Sequence, residues 1–76
     1  MSLLLPTEKR ARLTGLSRVS LHGQEFLDLV FVLDEEPGME RRARLGPMDV
    51  QGELHPGEPM LVRFVMGVAT GAKPAV

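Results

Sequence analysis

Arginine supplies most of the side chains in this sequence that could do chemistry. Lys9, Arg10 and Arg12 form one basic cluster, Arg41, Arg42 and Arg44 form a second, and Arg18 and Arg63 stand alone. A guanidinium fork matches the geometry of an oxyanion, which makes Arg18, Arg42, Arg44 and Arg63 candidate donors to a small anion. Arg42 and Arg44 are two residues apart and share one face of any strand that carries them. The wider set Lys9, Arg10, Arg12, Arg41, Arg42 and Arg44 could instead follow the backbone of a single-stranded nucleic acid. Such a groove also uses aromatic platforms, and here only Phe26, Phe31 and Phe64 exist. Glu35, Glu36 and Glu40 lie close to the second cluster in sequence, so a solvated face laced with ion pairs is the competing reading.

Ser17, Ser20 and His22 lie together, but no third group completes a nucleophilic triad, and a hydroxyl beside a histidine at a strand end is ordinary turn chemistry. Asp34, Glu35 and Glu36 are consecutive acids without the spacing of a calcium loop. The chain has no cysteine, and His22 and His55 are its only imidazoles, so a structural zinc site lacks ligands. No catalytic residue, metal or cofactor is assigned, and the expectation is a protein that is not an enzyme.

The elements that must position these residues read as strands. In Gln24 to Asp34 the odd positions Leu27, Leu29, Phe31 and Leu33 are apolar without a break, and a period of two with aromatic and β-branched residues is the pattern of a strand with one face in a core. Lys9 to Leu21 predicts a long first strand in which Leu16 breaks phase directly after Gly15. Glycine within a strand marks a bulge or bend, so Gly15 is the expected barrel corner. His22-Gly23 predicts a tight hairpin. Pro37-Gly38 and Pro56-Gly57 predict turns with proline fixing φ and glycine taking the left-handed position. Met39 to Leu45 alternates into a third strand with a wet second face. Met48 to Leu54 is expected to cap an open barrel end with a single helical turn. Met60, Val62, Phe64, Met66 and Val68 share one parity of the last strand, and the tail 69–76 is expected to fray.

These elements predict one all-β domain over 1–76, a small antiparallel barrel, OB-like or alternatively SH3-like, with a short helical turn or loop before the last strand and an N-terminal arm at 1–8. Seventy-six residues are near the lower limit for a core without staples. The net charge of -1 gives no global attraction to nucleic acid or an anionic membrane. No apolar run could span a bilayer, and the expectation is a soluble, cytoplasmic protein without membrane insertion. Asparagine is absent and arginine outnumbers lysine, from which we expect thermostability.

Two segments carry a family resemblance. Leu13-Thr14-Gly15-Leu16-Ser17-Arg18-Val19-Ser20-Leu21-His22-Gly23 is similar to the opening strand of TOBE and Mop domains, and Leu54-His55-Pro56-Gly57-Glu58-Pro59-Met60-Leu61-Val62-Arg63-Phe64 is similar to their closing turn and strand. The resemblance implies an OB-like barrel and a binding module, usually paired with a second copy, that holds an oxyanion or sugar at the interface. Molybdate-binding members resemble one another in a Ser-Ala-Arg-Asn-like start and an Ile-Lys-Ala-Thr-like segment. Here that start is absent, and Val62 to Val68 contains no lysine or hydroxyl.

Phe26, Val30 and Val32 are apolar on the even face of the central strand, and Leu61 and Val65 repeat this on the last strand. A barrel this small cannot bury both faces, so these residues are the candidate interface of a homodimer or higher oligomer. The functional expectation is a non-enzymatic binding or interaction module for a small anion or protein partner. The alternatives are a single-stranded nucleic-acid-binding barrel and a purely structural oligomerisation domain.

Overall fold

The computed structural model describes residues 5–75. It contains five strands, β1 (Thr7–Leu21), β2 (Gln24–Leu33), β3 (Glu40–Leu45), β4 (Pro59–Val65) and β5 (Val68–Pro74). They form one antiparallel sheet in the order β3-β2-β1-β4-β5. The first strand lies at the centre and joins the β2–β3 meander to the β4–β5 hairpin. With a 3-10 turn at Pro47–Asp49 between β3 and β4, this is a small all-β, barrel-like fold whose sheet is open along one seam.

The expected corner at Gly15 is where β1 bends. Leu13 lies opposite Phe31 and Gly15 opposite Val30, so Thr14 is an extra residue in the ladder. Below the bulge β1 also pairs with β4, from Thr7↔Phe64 to Arg12↔Pro59. A bulge increases local twist and bends its strand, which lets one strand serve both halves of the sheet. It also inverts the facing of the residues beyond it. Ala11 and Leu13 enter the core, whereas Val19 stands opposite Phe26 on the outer face, a change of side that their shared parity conceals. The hydroxyl of Thr14 donates to the carbonyl of Val30 at 3.1 Å.

The same construction recurs at Thr70-Gly71. Arg63 lies opposite Gly71 and Phe64 opposite Ala69, leaving Thr70 extra, and the Thr70 hydroxyl donates to the Arg63 carbonyl at 3.4 Å. In both places a threonine hydroxyl bonds to the carbonyl of the residue opposite the following glycine, which ties down the strand where its ladder is interrupted.

The turns obey local chemistry. His22 and Gly23 have φ of 51° and 79°, the doubly left-handed geometry that matches the twist of a two-residue hairpin. The turn at Pro37-Gly38 closes through Met39 N–H to Glu36 O at 3.1 Å, and that at Pro56-Gly57 through Glu58 N–H to His55 O at 3.1 Å.

The last part of the chain differs from expectation. Residues 59–68 do not form one strand, because Met66 and Gly67, at φ of 53° and 79°, make a second tight hairpin. The tail expected to fray from Ala69 is β5, paired with β4 as far as Pro74↔Met60. Met66 and Val68, which match the core parity in sequence, are 67% and 63% exposed. The helical turn lies slightly earlier than expected, and Met48 points outward at 95% exposure while Val50 and Leu54 pack inward. At the other end, Leu3 and Leu4 of the expected arm lie outside the described residues, Leu5 is exposed, and β1 already begins at Thr7.

The core is built from Leu13, Leu29, Phe31, Leu33, Met60 and Val62, all almost completely buried, with Ala11, Leu45, Leu54, Phe64 and Ala72 around them. Each large side chain contributes about 1.5–3 kcal/mol by leaving water. The strands β3 and β5 run parallel along the open seam without a ladder between them. One end of the seam is fastened by the parallel bridge Val50↔Ala72, where Gln51 N–H donates to Ala72 O at 2.9 Å.

Replacing Thr14 by valine should cost about 1 kcal/mol, and Thr70→Val less because its hydrogen bond is longer; urea denaturation of the two variants gives the order. Met66→Asn should stabilise the fold by about 0.5–1 kcal/mol, since asparagine tolerates the left-handed region that methionine resists, and the unfolding midpoint should rise.

Candidate functional site

The barrel's outer face around β3 is set by register. Asp28 lies opposite Arg44 and Val30 opposite Arg42. Arg44 and Asp28 form a two-pronged pair, with Nε donating to Oδ1 at 2.7 Å and Nη2 to Oδ2 at 2.9 Å. Arg41 makes the same kind of pair with Glu36, at 2.8 and 3.0 Å. Hydrogen bonding from Arg44 holds the Asp28 carboxyl below its usual pKa, and that from Arg41 does the same for Glu36, with partial desolvation opposing each. The guanidinium pKa values of Arg41 and Arg44 rise for the reciprocal reason.

The consecutive acids are neutralised from within the chain. Asp34 meets Arg10 at 3.6 Å, Glu35 meets Lys9 at 3.1 Å and Glu36 meets Arg41. Lys9 Nζ also lies 6.0 Å from the centre of the Phe64 ring. The acidic turn thus folds over the end of the barrel and engages cations from both basic clusters. Among the described residues no group of histidine, aspartate and glutamate side chains could hold a metal ion, and no helix is long and apolar enough to cross a membrane.

Of the four candidate anion donors, only Arg42 and Arg44 lie on one strand, two residues apart on β3. Arg18 stands opposite Leu27 on the projecting β1–β2 hairpin. Arg63 lies on β4, where its Nε donates to Thr70 Oγ1 at 3.2 Å and its Nη2 packs so closely over Gly71 that a Cβ there would come within 3.1 Å. In the nucleic-acid set, Lys9, Arg10, Arg41 and Arg44 are paired with carboxylates and Arg12 donates to Gly57 O at 2.9 Å. Arg12 and Arg42 have no carboxylate within 4 Å among the described residues, and of the two only Arg42 makes no side-chain hydrogen bond there. The aromatic platforms are also lacking, because Phe31 and Phe64 belong to the core.

Two open clefts flank β3. One, of about 450 Å³, runs along the seam between β3 and β5 and is lined by Phe31, Phe64, Val68 and Ala69 together with Arg41 to Arg44. The other, of about 400 Å³, lies on the outer face against Asp28, Leu29 and Val30. They share Arg42, Ala43 and Arg44, so the edge of β3 stands between them. The chain matches no protein-family model, no curated protein and no solved structure. The candidate interface residues Phe26, Val30, Val32, Leu61 and Val65 are all half-buried. Val30 is covered in part at Gly15, whose missing Cβ would sit 3.4 Å from the Val30 side chain. The two clefts could not be found from sequence, since one depends on the seam and both depend on register. The Asp28–Arg44 pair was equally hidden, because counting back from a two-residue turn at Pro37-Gly38 would set Asp28 opposite Pro47, whereas the observed register is centred on Glu36.

Because the carboxyl pKa values of Asp28 and Glu36 are lower in the folded chain than in the unfolded one, their pairs stabilise the fold above the ordinary carboxylate range. That contribution disappears as pH falls through the lowered values. Stability measured from neutral pH into acid should therefore decline, and Asp28→Asn combined with Glu36→Gln should make the decline shallower.

Proposed function

We propose that this chain is a non-enzymatic OB-like binding module, similar in kind to a stand-alone TOBE domain, whose working surface is the edge of β3. The observation that carries the proposal is Arg42, a guanidinium without a carboxylate partner among the described residues, on a strand flanked by two clefts. A ligand bearing an oxyanion can accept a fork from Arg42 without displacing an existing pair. Arg44 stands beside it, already held in place by Asp28, and supplies a second positive centre. The apolar walls at Val30, Phe64, Val68 and Ala69 favour a ligand or segment with an apolar part adjoining its negative group.

An extended nucleic-acid track is a poorer fit. Most of its candidate cations are engaged within the chain, and recruiting them would break surface pairs worth up to about 1 kcal/mol each.

A thermal-shift panel of phosphate, sulfate, molybdate, short carboxylated peptides and short oligonucleotides tests the proposal. At least one anionic compound should raise the unfolding temperature by binding the folded state, and Arg42→Ala should abolish that rise while leaving the free protein's stability within about 0.5 kcal/mol. Failure of every anion to stabilise the protein, or a rise unaffected by Arg42→Ala, would count against β3 as the working surface. A response confined to oligonucleotides and falling steeply with salt would favour nucleic acid instead.

A further inference from the structure

The β1–β2 hairpin extends past the rest of the sheet. β4 accompanies β1 only as far as Arg12, and β3 accompanies β2 only between Leu27 and Val32. Beyond those limits lies a ribbon of two strands, a construction that is marginal in water by itself. From Thr14 to Leu21, β1 is paired on one side only.

This edge is unprotected in a way the others are not. In β3 the edge carries Glu40, Arg41, Arg42 and Arg44, and β5 ends in Lys73-Pro74 with Ala72 already bridged to Val50. Charge and proline are the usual means of blunting an edge. Residues 14–21 contain neither proline nor lysine, and Arg18 is their single charge. Leu16 and Leu21 are 37% and 38% exposed.

We propose that two copies of this chain pair antiparallel through the 14–21 edge of β1, with Val19 on the two-fold axis, joining their sheets into one. Residues that meet across a two-fold axis normal to the sheet project to the same face. An axis at Arg18 would set like charges opposite each other. An axis at Val19 sets Arg18 opposite Ser20 of the second copy, and Ser20 lies opposite Glu25 within its own hairpin. Arg18 then reaches across a short serine to a carboxylate. Among the described residues Arg18 has no acidic partner within its own chain and Glu25 has no basic one, so the two unpaired charges of the hairpin satisfy each other twice by symmetry. On the opposite face Val19 adjoins Phe26 in each copy, giving a continuous apolar row of Phe26, Val19, Val19 and Phe26. Charge and apolar matching both hold for a second copy of this chain, and this surface is separate from the β3 edge.

Charge reversal tests the pairing. Arg18→Glu or Glu25→Arg alone should weaken dimerisation about tenfold at low salt, measured by sedimentation, and the double variant should recover the affinity. Both positions are exposed, and circular dichroism verifies that each variant is folded. The chain has no cysteine, so Val19→Cys should form a disulfide-linked dimer on mild oxidation, whereas Ser17→Cys, set opposite Leu21, should not. A monomeric mass at about 100 µM, a double variant no tighter than the singles, or cross-linking through Ser17 instead of Val19 would overturn the proposal.

Discussion

The extra residue in β1 is the constraint on which the rest depends. A flat β1 in unbroken register could pair with β2 along its length, but its two ends would not turn toward different halves of a barrel. The bulge at Thr14 supplies the bend, Gly15 lies against the side chain of Val30, and the Thr14 hydroxyl restores a hydrogen bond where the ladder is broken. Because the bulge also switches the side to which residues project, the same strand contributes Ala11 and Leu13 to the core and Val19 to the outer face. Beyond the bulge β4 no longer accompanies β1, and the ribbon projects with one edge unpaired.

Electrostatics is arranged around the openings of the barrel. The acidic turn and the two basic clusters look in sequence like separate candidate sites, yet folding brings them into contact at one rim, where they neutralise each other. Pairs this exposed add little stability individually. Among the described residues Arg42, between the two clefts, and Arg18 and Glu25, on the ribbon, are among the charges that lie outside these pairs.

Much of the architecture is legible in the sequence because its signals are local. His22-Gly23, Pro37-Gly38 and Pro56-Gly57 mark turns through residues whose preferred φ values the turns require, and the phase break at Leu16 locates the bend. The hairpin at Met66-Gly67 is hidden for the opposite reason. Methionine is an unusual occupant of a left-handed turn position, and the alternation from Met60 continues through Met66 and Val68 as though the strand had not ended, so β5 reads as a tail. The pairing of Thr14-Gly15 with Thr70-Gly71 is visible only as a repeated dipeptide, which means nothing until the ladders on both sides are known. At the site, the residue types are legible but their grouping is not. Whether Arg41 and Arg44 are available or engaged depends on register and on the path of a turn, and the cleft along the seam joins strands distant in sequence.

The central position of β1 also constrains the order in which the chain can assemble. Its pairing with β2 and that of β2 with β3 are made between neighbours in sequence, joined by short turns. Its pairing with β4, from Thr7↔Phe64 to Arg12↔Pro59, requires closure of a loop containing most of the chain, whose entropy is lost before any contact offsets it. The β1–β2–β3 meander is thus the part with the lower closure cost, and the β4–β5 hairpin meets it along β1.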